Sequence, residues 1–165
     1  MNKDHPLIQI ILGSIFHSTS VSAYKKIRED GFIRPNVGIF PYSHEQSRGS
    51  CVSRLQGISL FDFGRSEDEI FFMDGPLPWE NVIAAHEPVS VIIQLNRKLL
   101  EENLISWEET KEKAGEPPCM LIPYVEVCYP QPIPLNFIER NILVCAEELK
   151  IFKIIDEQIL LDEHF

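Results

Sequence analysis

The residues best suited to chemistry in this chain are a histidine, a glutamate, and a few hydroxyl and arginine side chains. His17 follows the apolar pair Ile15-Phe16 and is itself followed by Ser18, Thr19 and Ser20. A titratable ring between an apolar run and a helix start is well placed to hydrogen-bond a ligand. The same ring also fits a satisfied, partly buried strand end, and the hydroxyls fit ordinary helix caps. Glu126 stands in the run Tyr124-Val125-Glu126-Val127-Cys128-Tyr129. Strand alternation groups it with Tyr124 and Cys128, and puts Val125 and Val127 on the opposite face. The carboxylate either projects into a cleft or points to solvent from a half-exposed strand, and the pattern alone does not choose. Ser53-Arg54 sets a hydroxyl beside a guanidinium, which can hold a phosphate by a bidentate fork or simply stand solvated. Ser59 lies in a stronger strand pattern, Ile58-Ser59-Leu60-Phe61, where its hydroxyl meets either backbone or ligand.

Several standard chemistries are excluded by motif. The chain has no GxGxxG fingerprint, no GxxxxGK[ST] loop, no GxSxG elbow and no HExxH pair. Its cysteines, Cys51, Cys119, Cys128 and Cys145, form no CxxC and match no zinc spacing, so no metal site is expected. All four read as reduced structural thiols, which points to a cytoplasmic protein. A net charge of −10 gives no electrostatic footprint for non-specific nucleic-acid binding. No run reaches the ~20 apolar residues of a membrane helix, so no membrane partner is expected. Residues 7–16 with Val21-Ser22-Ala23 have the outline of a short signal peptide, but Asp4, Pro6 and Gln9 argue against it.

The elements that must position these side chains follow from pattern. A length of 165 residues with 44% hydrophobic content suits one domain, residues 1–165. Residues 7–16 predict a first strand with Gly13 as a bulge. A helix capped by Thr19 or Ser20 follows, with Val21, Tyr24 and Ile27 on one face and Gly31 as its left-handed stop. Residues 34–50 are turn-rich, a long loop with the character of a lid. Strand character returns at 51–53 and 57–63, at 70–73, at 89–95, at 121–129 and at 142–145. Residues 79–85 and 135–140 read as helical turns, and Asn96 caps a short helix over 97–102. Ser106-Trp107-Glu108-Glu109 matches a capping box, with Gly115 as the stop. Leu149, Phe152, Ile155 and Ile159 recur at helical spacing and predict a C-terminal amphipathic helix. The class is α+β.

In this order, Phe16-His17-Ser18-Thr19, a helix ending Ile27-Arg28-Glu29-Asp30-Gly31-Phe32, a middle strand at Cys51-Val52-Ser53 or Ile58-Ser59-Leu60-Phe61, and Pro123-Tyr124-Val125-Glu126-Val127 followed by Pro132-Ile133-Pro134 resemble the ADP-ribosyltransferase-like superfamily. The likeness is to DNA-targeting ADP-ribosyltransferase toxins and RNA 2′-phosphotransferase-type domains, and it spans about two thirds of the chain. It implies a mixed or antiparallel split sheet with short flanking helices. It also implies NAD as substrate and a toxin-type mono-ADP-ribosyl transfer (a glycosyltransferase reaction) to a macromolecular acceptor, protein or nucleic acid. Glu126 and His17 would then be catalytic. His17, Ser18, Thr19, Tyr24, Arg48, Ser53, Arg54 and Ser59 would bind the cofactor. Tyr24 or Tyr42 would stack on the nicotinamide, Arg54 or Arg48 would meet the pyrophosphate, and the 34–50 loop would close over both. Two other outcomes fit the same resemblance: a non-catalytic binding or interaction module of that fold, and an RNA 2′-phosphotransferase. The motif leaves Ser53 and Ser59 open as the middle residue.

Overall fold

The computed structural model describes residues 5–36, 38, 49–64, 88–119, 121–122 and 124–145, and the backbone of 150–155. The described chain runs α1 (Pro6–Ile11), β1 (Ile15–Ser20), α2 (Val21–Asp30), β2 (Phe32–Ile33), α3 (Cys51–Arg54), β3 (Ile58–Asp62) and β4 (Val89–Leu95). It continues with α4 (Arg97–Leu100), α5 (Trp107–Ala114), β5 (Glu126–Tyr129), β6 (Ile133–Pro134), β7 (Ile138–Cys145) and β8 (Lys150–Ile155). Six strands form one sheet in the order β5-β3-β1-β4-β7-β8, each neighbouring pair antiparallel, and β2 pairs with β6 in a second, two-stranded sheet. This mixture of helices and antiparallel strands is α+β.

Strand alternation splits the core into two layers. Ile15, Ile58, Leu60, Val91, Ile93, Leu95, Val127 and Leu143 face one way, against Tyr24 and Ile27 of α2. Phe16, Phe61, Ile92, Ile142 and Val144 face the other way, against Leu7, Ile8 and Ile11 of α1. β4 is buried on both faces, which is why its run Val89–Leu95 is almost continuously apolar.

Two expectations fail at the ends of the chain. Residues 7–16 are not one strand. His5 caps a helix by accepting from the Leu7 amide, Pro6 occupies its first turn, and the chain then passes through Gly13 at φ 77 before β1 begins. Leu7, Ile8 and Ile11 are fully buried, so the apolar stretch outlined as a signal segment is part of the core. Val21-Ser22-Ala23 opens α2. At the other end, Lys150–Ile155 is a strand, paired with β7 from Cys145↔Lys150 to Asn141↔Ile155, where helical spacing predicted a helix. β7 offers an open edge there, and a β-rich segment completes its ladder. Similarly, residues 51–53 are helical rather than extended, the strand after 121 begins only at Glu126, and most of 135–140 belongs to β7. The predicted strand at 70–73 and turn at 79–85 lie outside the described residues.

The reading of four reduced thiols is corrected as well. Cys51 and Cys119 form a disulfide, while Cys128 and Cys145 are free. No sequence spacing signals a bridge across 68 positions; the pair meets because α3 packs against α5, which brings Cys51 close to the chain leaving that helix. Disulfides persist in oxidising surroundings, so cysteine usage no longer supports a cytoplasmic setting. Among the described residues, no helix is long and apolar enough to cross a membrane.

Candidate functional site

Three neighbouring strands carry the three side chains singled out by chemistry: His17 on β1, Ser59 on β3 and Glu126 on β5. β1 and β3 pair at Ile15↔Asp62 and Phe16↔Phe61. Just beyond, the imidazole takes over from the backbone: His17 Nδ1 lies 2.9 Å from the Ser59 carbonyl oxygen. The Ser59 hydroxyl donates to Glu126 Oε1 at 2.7 Å. The second carboxylate oxygen, Oε2, accepts from the Ile122 amide at 2.8 Å. One chain of hydrogen bonds therefore links His17 to Glu126 through the backbone and side chain of a single serine.

Register explains this arrangement. Phe16 pairs with Phe61, and Phe61 with Glu126, so Ser18, Ser59 and Glu126 start on the α1 face of the sheet. His17 and Thr19, one residue out of phase, start on the α2 face. Ser59 is the hinge between the faces, with its carbonyl toward the ring and its hydroxyl toward the carboxylate. The turn before β5 fixes Glu126 in place. Tyr124 adopts φ 64, and the Glu126 amide bonds the Ile122 carbonyl at 3.1 Å while the Ile122 amide returns to the Glu126 side chain. A non-glycine residue at positive φ is strained backbone, retained where surrounding bonds over-determine it.

Electrostatics give each group a state. Glu126 is only 8% exposed, and burial pushes its carboxyl above the usual carboxylate range, against the opposing pull of the Ile122 amide and the Ser59 hydroxyl. His17 is lowered by burial, with the Ser59 carbonyl bond opposing. A carbonyl only accepts, so Nδ1 carries the proton in the neutral ring and Nε2 is left as an acceptor. Cys128 lies on the Glu126 face, and burial with the neighbouring Glu126 charge pushes its thiol up to about 11, which makes it an inert core residue.

The other sequence candidates fall elsewhere. Of the two serines left open by the sequence, Ser59 lies beside His17 and Glu126 and Ser53 does not. Ser53 sits in α3, where its amide donates to the Ser50 hydroxyl at 3.1 Å. Arg54 is not free for a phosphate: its guanidinium donates to the carbonyls of Pro117 and Pro118. Tyr24 is 1% exposed inside the core under α2 and presents no ring face for stacking. Ser18 is half-buried opposite Ile92, and Thr19 is buried opposite Val91. Ser20, rather than Thr19, caps α2, accepting from the Ala23 amide at 3.2 Å. Arg48 and Tyr42, like most of the 34–50 loop, lie outside the described residues.

Two participants escaped sequence reasoning. The Ile122 amide is backbone, and no residue type announces it. The Cys51–Cys119 bridge holds the segment just before Ile122 against α3, and its partners are distant in sequence. Among the described residues, no group of three His, Cys, Asp or Glu side chains is arranged to hold a metal. No protein-family model, no curated protein and no solved structure matches this chain.

Proposed function

We propose that this chain is an ADP-ribosyltransferase-like enzyme that cleaves the nicotinamide–ribose bond of NAD and transfers ADP-ribose to a macromolecular acceptor. The observation that carries the reading is the hydrogen-bonded series His17, Ser59, Glu126 on the adjacent strands β1, β3 and β5. These are the residue types, in the chain order, that the resemblance expects. The parting of β1 and β3 after Phe16 agrees with an expected split sheet of that fold.

The chemistry is compatible with the groups present. Breaking the bond from ribose to nicotinamide leaves an oxocarbenium-like sugar. An ionised Glu126 would stabilise that positive charge and orient the acceptor, and the Ser59 hydroxyl and Ile122 amide would aim its two oxygens. The unprotonated Nε2 of His17 would accept from a ribose hydroxyl and position the sugar. Because burial holds the carboxyl high, activity should rise with pH as Glu126 ionises. The nicotinamide and pyrophosphate contacts are not assigned to Tyr24 or Arg54, whose side chains are engaged in the fold.

One observation favours a second reading, a non-catalytic binding module of the same fold. Both oxygens of Glu126 are already bonded and the group is almost fully covered. RNA 2′-phosphate transfer is less well supported, because Arg54 is committed to the proline carbonyls. Calorimetric titration with NAD, with nicotinamide release measured in parallel, separates these readings. The enzyme binds NAD and releases nicotinamide, Glu126→Gln binds without release, and His17→Ala binds more weakly. Failure of the wild-type chain to bind NAD, with the Cys51–Cys119 bridge either oxidised or reduced, sinks the proposal.

A further inference from the structure

The cover over Glu126 is built in an unusual way. Glu116, Pro117 and Pro118 are exposed, and the chain then runs through Cys119 to Ile122, whose amide closes onto the carboxylate. Both ends of the short helix α3 hold this segment. Its first residue, Cys51, is bonded to Cys119; its last, Arg54, donates to the Pro117 and Pro118 carbonyls. Arg54 makes exposed hydrogen bonds, which are weak tethers in water. The disulfide is the only covalent one among the described residues, and it sits three positions before Ile122.

The geometry points to a thiol-controlled cover: reduction of Cys51–Cys119 frees the segment through Ile122 and opens Glu126 to substrate. Cys51 is fully buried and Cys119 is half-buried, so an incoming thiolate meets the Cys119 sulfur first. A small dithiol supplies the two electrons and two protons. The S–S bond breaks, Cys51 leaves as a thiolate and is protonated, a mixed disulfide forms at Cys119, and the second thiol of the reductant displaces Cys119 as it closes to its own disulfide. With both cysteines reduced, the cover is held without a covalent tie, by the Arg54 bonds, the two hydrogen bonds between Ile122 and Glu126, and the packing of Ile122 on the α1 side of the core. The inference rests on Glu126 being the working carboxylate, and its test contains no NAD, so the two can fail separately.

The test compares the oxidised chain with the same chain reduced by dithiothreitol. It reads exchange of the Ile122 amide and carbodiimide labelling of Glu126 by mass spectrometry. Reduction should raise both by an order of magnitude, about the weight of one lost hydrogen bond, while amides of β1 and β4 keep their protection. The double variant Cys51→Ser/Cys119→Ser should show the raised values with or without dithiothreitol. Equal exchange and labelling in the two redox states overturns the inference. So does loss of β1 and β4 protection on reduction, since the bridge would then be a staple of the whole fold. If the labelling opens as expected and NAD still fails to bind, the cover stands and the NAD reading falls.

Discussion

Replacing Ser59 with alanine removes the one side chain that joins the two halves of the site. The Ser59 hydroxyl donates at 2.7 Å to a carboxylate that is 8% exposed, so little water can replace it. A hydrogen bond to an ionised group contributes about 1.5–3 kcal/mol, and one to a neutral group about 1 kcal/mol. The loss therefore depends on the state of Glu126. At a pH above the Glu126 titration, where the carboxylate is charged, the variant should lose about 2 kcal/mol; at about pH 4, with the raised carboxyl protonated, about 1 kcal/mol. In thermal melts of a chain this size these losses correspond to roughly 4–8 °C and 2–4 °C. The Glu126 carboxyl should also titrate higher in the variant, because an interaction favouring its charged form is gone. Urea unfolding at both pH values gives the comparison, with Ser59→Ala in a Glu126→Gln background as control. In that background the loss should be about 1 kcal/mol at either pH. An equal loss at both pH values in the parent chain would refute the charge-assisted bond, and no loss at all would refute the contact.

Further outcomes follow from the same geometry. Glu126 has its folded value raised above the unfolded one, so the native state holds its proton longer; the stability it contributes is full at acid pH and is lost as pH rises through its folded value. His17 has its folded value lowered from 6.5, so its contribution is lost as pH falls below the unfolded value. Stability measured against pH in Glu126→Gln should lack the first slope, and in His17→Gln the second; unchanged profiles in both variants would contradict the burial of the pair. Gly31 ends α2 at φ 77 with open space around its Cα, so Gly31→Ala should cost about 1–2 kcal/mol from backbone conformation alone. A melting temperature equal to the parent's would contradict that helix stop.

Much of this arrangement is legible from residues whose roles are local. Gly31 stops α2, Ser106 and Glu109 form the capping box of α5, and Asn96 caps α4, each as its sequence pattern requires. His17, Ser59 and Glu126 are legible as chemical types, and their order in the chain suggests that they meet. Their geometry is not legible, because the one-residue offset between His17 and the Ser59 face depends on the Phe16↔Phe61 register. Pro6 and the His5 cap outweigh an apolar run that alone reads as a strand. Lys150–Ile155 goes the other way, since the free edge of β7 takes up a segment with helical spacing. Ser53 and Ser59 cannot be told apart until the four-residue helix Cys51–Arg54 is seen. The disulfide and the Ile122 amide leave no trace in composition or spacing, because both arise from how α3 meets the chain before β5.

The most direct measurement is nicotinamide release from NAD by the reduced chain, alongside calorimetric binding, for the parent and for Glu126→Gln. The account predicts that both bind NAD and that only the parent releases nicotinamide, more rapidly as pH rises through the Glu126 titration. Release at the same rate from Glu126→Gln, or no binding of NAD by the parent in either redox state, would contradict it.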